Sequence, residues 1–207
     1  FGHFGSTIGR FLRSHGVEAT ILDHDSNRVD FLRKMGFEVY YGDATRLDLL
    51  ESAGIADAKI IICATNKIDV SKAISKIVKE NYPHVEMMIR TKNRYDAYEL
   101  LNLGHENIYR ESLETSLTLA KDVLSKMGFR KYTLTRQVQN FIKYDEDSLR
   151  RLASEPKREE DYIFKAKKEL EQQEKFLNED FKRGIVEYDN HWDSEHIRKA
   201  LNKFNEE

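Results

Sequence analysis

Between Ser6 and about Lys92 the chain alternates short apolar runs with stretches in which polar and apolar residues are mixed. The runs cover residues 17–22, 37–41, 60–64 and 85–89 and are rich in Val, Ile, Tyr and Met. They recur about every 20 residues, the spacing of βαβ units whose strands are covered by helices on both faces. The pattern predicts an α/β fold, a Rossmann-like doubly wound parallel sheet, with a short run at 107–109 as a candidate further strand.

Punctuation places the helices. A first helix is expected from about Gly5 to His15, closed by Gly16. A second is expected to be capped by Ser26 or Asn27 and to end near Gly36, and a third to run from Thr45 to about Gly54. Ile68, Val70, Ala73, Ile74, Ile77 and Val78 recur at helical spacing until Pro83 bars continuation. Leu113, Leu117, Ala120, Leu124 and Met127 form one stripe of a helix over 112–127, read first as core and second as a subunit interface.

Beyond Arg130 the character changes. Residues 150–185 are about half charged and carry one thin apolar stripe, Tyr162, Ala166, Leu170 and Leu177. That is the pattern of a long exposed helix, either solvated or laying one narrow face on a partner. A chain of 207 residues accommodates one α/β domain, over 1–130, and a charged helical C-terminal extension for dimer or partner contacts, over 131–207.

Composition agrees with that division, since the charged fraction of 34% exceeds the usual quarter or so while the hydrophobic fraction of 40% still suits a core. Lys and Arg number 34 against 36 Asp and Glu, so no basic footprint for nucleic acid is present. The single cysteine, Cys63, sits in an apolar run and reads as a buried small residue. No apolar stretch approaches the roughly 18 residues of a membrane span, and the start lacks a signal-peptide layout. A soluble, cytoplasmic piece is expected.

The candidate chemistry opens at the first residues. The run Phe1-Gly2-His3-Phe4-Gly5-Ser6-Thr7-Ile8-Gly9-Arg10 holds the last two glycines of G-x-G-x-x-G, with the first expected just before Phe1. Gly2 would let backbone approach a diphosphate, Gly5 would let the helix pack on the sheet, and the loop of Gly2, His3, Phe4 and Gly5 would present free N–H groups to the anion. A motif beginning at residue 1 leads us to expect that the numbering starts inside a longer polypeptide, after an apolar strand ending in Gly.

Asp23 ends the second strand run about 20 residues later, where a carboxylate can accept from ribose hydroxyls. His24 and Asp25 share that strand end. Their acidic lip disfavours a 2′-phosphate, so NAD(H) or AMP is expected rather than NADP. Asp43, Ala44 and Thr45, and then Ala64, Thr65 and Asn66, follow two further runs and should line the same crevice, because ligands of open parallel sheets bind outside the carboxyl ends of the strands. The alternative for Thr45 and Asn66 is capping of the next helix. His15, His84, His105, His191 and His196 show no ligand spacing, and no metal site is expected.

The strings GHFGSTIGR, LDHD, YYGDATRLDLLESAGI and YRESLETSL resemble the KTN domain, also called RCK or TrkA-N, of Kef, the glutathione-gated bacterial potassium efflux system. The resemblance covers roughly residues 1–130; the tail resembles the Kef C-terminus only in being charged and helical. It implies a regulatory domain, not an enzyme, on the cytoplasmic face of the bacterial inner membrane. That domain would form a homodimer, be joined to a membrane cation/proton antiporter in the same polypeptide, and be served by a flavodoxin-like quinone oxidoreductase as accessory subunit. It further implies adenine nucleotide in the Rossmann cleft, and glutathione or its adducts near the dimer interface, where glutathione holds transport off and electrophile adducts switch it on.

Residue by residue, the resemblance gives Arg10 and Arg110 to the glutathione carboxylates, a task suited to planar guanidinium forks, and places Asn93 among the glutathione-binding positions. Asp145 stands where the family can place an asparagine reaching from the partner subunit; a carboxylate only accepts where an amide also donates. Met35 stands where an aromatic residue linked to gating is usual. Two other readings share the glycine loop: an NAD-dependent oxidoreductase, for which no acid/base residue or substrate domain is evident, and the regulatory domain of another potassium transporter or channel lacking a glutathione site. The pair Arg10 and Arg110 discriminates the last.

Overall fold

In a computed structural model, residues 1–153 are described, together with 167–168, 171–172, 174–175 and 178–179. The stripe of Tyr162, Ala166, Leu170 and Leu177, and His191 and His196, lie outside the described residues. The chain divides into two compact units, Phe1–Ser112 and Leu113–Glu207. The division precedes the compositional change at Arg130.

The first unit is Rossmann-like. Its strands are β1 (Ile21–Asp23), β2 (Val39–Tyr41), β3 (Ile60–Cys63), β4 (Glu86–Thr91) and β5 (Ile108–Arg110), and its helices are α1 (His3–Ser14), α2 (Ser26–Lys34), α3 (Leu47–Ser52), α4 (Ile68–Asn81) and α5 (Arg94–Asn102). Every strand pair is parallel, with β1 beside β2 in one sheet and β3, β4 and β5 side by side in the other. β4 is central to the second sheet, and the main core is built around it from Cys63, Ile74, Val78, Met87, Ile89 and Leu100. A smaller cluster of Ile21, Val29, Leu32 and Val39 holds α2 against β1 and β2.

Several boundaries differ from expectation, each for a local reason. The apolar run at 17–22 forms a strand only from Ile21. The residues before it are taken up in closing α1: Gly16 has φ 74°, its N–H donates to the Arg13 carbonyl, and the Val17 N–H donates to the Leu12 carbonyl, a wrapped helix end that turns Val17 to the surface. Asp25, not Ser26 or Asn27, caps α2, its side chain accepting from the Arg28 amide at 3.3 Å. Neither Thr45 nor Asn66 caps a helix. α3 begins after Arg46 and α4 after Lys67, both without a side-chain cap.

The second unit contains α6 (Leu113–Lys126) and α7 (Lys131–Ala153), joined through Gly128 at φ 98° and packed on each other. α7 buries Leu134, Asp145, Ser148, Leu149 and Ala153, whereas α6 buries no residue. The stripe read first as core is therefore not core in this chain: Leu113, Leu117 and Leu124 are half-buried, and Ala120 and Met127 are exposed. Within its unit α6 packs on α7, and one helix cannot cover a full apolar stripe.

Candidate functional site

The carboxyl ends of the strands in the first unit carry the polar residues picked out from the sequence. α1 opens at Gly2, which is extended, offers no side-chain cap, and is followed by no acidic residue in the first turn. A Cβ at Gly2 would meet nothing within 4 Å. The N–H groups at this helix end are thus free of side-chain acceptors, an arrangement that fits an anion such as a phosphate. At Gly5 a Cβ would sit in ordinary contact with the Ala64 Cβ at 3.5 Å; the tight approach falls at Gly9, where it would lie 2.5 Å from the Phe1 ring. His3 and Phe4 form the first turn, and the His3 carbonyl accepts from the Ser6 and Thr7 hydroxyls.

Asp23 ends β1 and is buried, with only 4% of its surface exposed. Its Oδ1 accepts from the Asp25 amide at 2.9 Å, and its Oδ2 accepts from Arg28 at 3.2 Å. Burial raises this carboxyl, whereas the Asp25 amide and the Arg28 charge lower it. A ribose hydroxyl would share an acceptor that already has Arg28 as a partner. Asp25 is the α2 cap and pairs with Arg28 at 3.3 Å, while His24 is exposed beside Asp23.

After β2, Asp43 Oδ1 accepts from both the Thr45 amide, at 2.9 Å, and the Thr45 hydroxyl, at 2.8 Å, so the turn through Ala44 is closed on itself and the Asp43 carboxyl is lowered by these two bonds. After β3, the Thr65 hydroxyl accepts from the Lys67 amide, and Asn66 turns its Oδ1 to Arg90. Asn93, assigned through resemblance to glutathione, caps α5 by accepting from the Asp96 amide at 2.9 Å. Arg10 is exposed on α1, with its Nε donating to the Ser6 carbonyl at 3.4 Å. Arg110 ends β5, half-buried. Asp145 is buried in α7, in the second unit.

Sequence reasoning missed Arg90 and Glu111. Arg90 is next to last in β4, only 8% exposed, and donates to the Ala64 carbonyl at 3.1 Å, to Asn66 Oδ1 and to Glu111 Oε2. Its guanidinium lies 5.0 Å from the centre of the Phe4 ring. Its Nε and the neighbouring Thr91 hydroxyl are buried without a hydrogen-bond partner among the described residues. The signal was a charged residue ending the apolar run 85–89: a central parallel strand is buried on both faces, so an arginine there must find a counter-charge and acceptors elsewhere in the chain.

Among the described residues no helix is long and apolar enough to cross a membrane. The TrkA-N domain family matches residues 1–111, and the family described as the Potassium efflux system KefB C-terminal domain matches residues 115–194. A solved structure titled Shewanella denitrificans Kef CTD in AMP bound form is 32% identical, covers 74% of this chain and 94% of its own, and superposes with a TM-score of 0.69. The TrkA-N domain of inner membrane protein ybaL from Escherichia coli is 21% identical over 57% of this chain and 88% of its own, at a TM-score of 0.53. The GsuK channel bound to NAD is 20% identical over 56% of this chain and 21% of its own, at 0.50. The last two share the fold. Together the two family matches, which meet near the division between the units, and the Kef relative identify the chain as a member of the TrkA-N (KTN/RCK) family and a regulatory domain of the Kef type of potassium efflux system.

Proposed function

We propose that the chain is a ligand-sensing domain that binds an adenine nucleotide, AMP or NAD(H), at the strand ends of its first unit, and glutathione or a glutathione adduct at a second site, to gate K⁺/H⁺ antiport. The observation that carries the nucleotide part is the open, uncapped N-terminus of α1 at Gly2. A phosphate would satisfy its free N–H groups. Gly2, His3, Phe4 and Gly5 would receive the phosphate. Asp23, His24 and Asp25 would face the ribose, and Asp43, Ala44, Thr45, Thr65 and Asn66 would complete the crevice. The AMP-bound Kef relative supports AMP as the first nucleotide to test.

For glutathione, Arg10 and Arg110 supply guanidinium groups for its two carboxylates, with Asn93 and Asp145 as further contacts in a homodimer. The domain is proposed to sit at the cytoplasmic face of the inner membrane, joined to the antiporter, with a flavodoxin-like quinone oxidoreductase as accessory subunit. Differential binding of two ligands to two arrangements of the dimer would bias the gate, with couplings of about 1–3 kcal/mol typical of such linkage.

Calorimetry on the chain, with its oligomeric state measured by light scattering, tests both parts. AMP should bind in the absence of glutathione, and glutathione and S-substituted adducts should bind the dimer. Arg110→Ala should abolish the glutathione heat while leaving the AMP isotherm in place. A verified dimer that binds no glutathione sinks the gating assignment.

A further inference from the structure

Three segments line the proposed crevice, and two of them lead into helices that start without a side-chain cap. The N-terminus of α1 has no side-chain cap. The loop from Ala64 to Asn66 leads into α4, which also starts without one. Glu111 follows the last strand, held to the sheet by its amide donating to the Thr91 carbonyl at 3.0 Å. One side chain meets all three. Arg90 stacks on Phe4 of α1, donates to Ala64 and Asn66 of the loop, and pairs with Glu111.

We infer that Arg90 is a positioning residue for the nucleotide site: a buried guanidinium clasp, locked by Glu111, that sets the first turn of α1 and the 64–66 loop at the separation a nucleotide phosphate and sugar require. This rests on the crevice being a nucleotide site, as proposed above. The chemistry favours arginine specifically. A planar guanidinium presents five N–H donors in fixed directions and a face that stacks on an aromatic ring, so it can address a carbonyl, an amide oxygen, a carboxylate and a phenyl group at once; an ammonium on a flexible stem cannot hold that geometry. A buried charge of this kind costs stability unless paired, which gives Glu111 its role, and the best-attested return on such buried pairs is the fixing of one arrangement among several. Because Glu111 is adjacent to Arg110, the clasp also ties the nucleotide crevice to the strand end that bears the proposed glutathione ligand.

The experiment measures AMP affinity by calorimetry on the 207-residue chain, well below each protein's melting temperature, for wild type, Arg90→Lys, Arg90→Met, Glu111→Ala and the double variant Arg90→Met/Glu111→Ala. Arg90→Met is expected to weaken AMP binding by about tenfold, and Arg90→Lys to recover only a minor part of that loss. Glu111→Ala should weaken binding less, and the double variant should bind as Arg90→Met does, because the two residues act as one unit. A purely structural role would lower melting temperatures and leave AMP affinity unchanged. Folded variants that bind AMP within about twofold of wild type, or losses that multiply in the double variant, overturn the clasp while the nucleotide site stands. Wild-type protein that binds no adenine nucleotide overturns the site and the clasp together. Should Arg90→Met fail to fold, Arg90→Lys and Glu111→Ala decide the matter by the same thresholds.

Discussion

The two sheets of the first unit hold their strand ends in different ways. Around β4 the core is deep: Ile89 and Leu100 are wholly buried, and helices on either side of the strand in sequence contribute to one apolar cluster. Around β1 and β2 four buried side chains do that work, and the strands are three residues long. There the polar contacts take over: Asp23 gathers Arg28 and the Asp25 amide, while Arg33 reaches across to the Val39 carbonyl at 2.9 Å. The side expected to meet adenosine is thus held largely by charge and hydrogen bonds, and the side bearing Arg90 by packing. Ion pairs rearrange with less loss than a packed core, so the first side is the easier of the two to reshape.

The largest effect that sharpens this contrast is in the deep core. Leu100→Ala should cost about 3 kcal/mol in denaturant unfolding, whereas Leu32→Ala in the small cluster should cost nearer 2 kcal/mol, because a shallow site collapses more readily around a deletion. Equal losses would break the comparison. Next, Asp25→Ala removes the α2 cap and should cost about 1 kcal/mol, with a loss of protection from amide exchange confined to the start of α2.

The smallest effect concerns acid, and it arises on the packed side. His105 is buried with its Nε2 against the Ser75 hydroxyl, and burial, aided by the Lys79 charge, holds it below the usual imidazole value of 6.5. The unfolded chain then binds more protons at this position than the folded one as the pH drops past about 6.5, so stability falls on acidification from pH 7 to about 5. Stability measured across that range should decline in wild type and decline less in His105→Gln. An unchanged slope would show that the charged side, not the packed one, controls the response.

Helix ends were the most legible feature of the sequence. Gly16, Gly36 and Gly54 were expected to close helices, and all three adopt positive φ there, a conformation that side chains resist. Helix starts were less legible. Asp25, Ser26 and Asn27 are consecutive good caps, and only the chain path out of β1 selects the first. The strand-end residues Asp23, Asp43 and Asn66 were placed correctly at the carboxyl edge, because parallel topology puts every strand end on one side. Their partners were hidden. Asn66 and Glu111 meet Arg90 from more than twenty positions away in the sequence, and nothing local in either segment announces an arginine. The exposed face of α6 was misjudged as core because periodicity reveals an apolar stripe without saying what covers it.

Cys63 closes β3 with 4% of its surface exposed, and burial pushes its thiol up to about 12. At neutral pH the reactive thiolate is then scarce. This is the sole cysteine in the sequence. On the glutathione reading proposed above, Cys63 is silent toward electrophiles, so an adduct would be read by binding and not by alkylation of this thiol. Such a response would be reversed by dissociation alone.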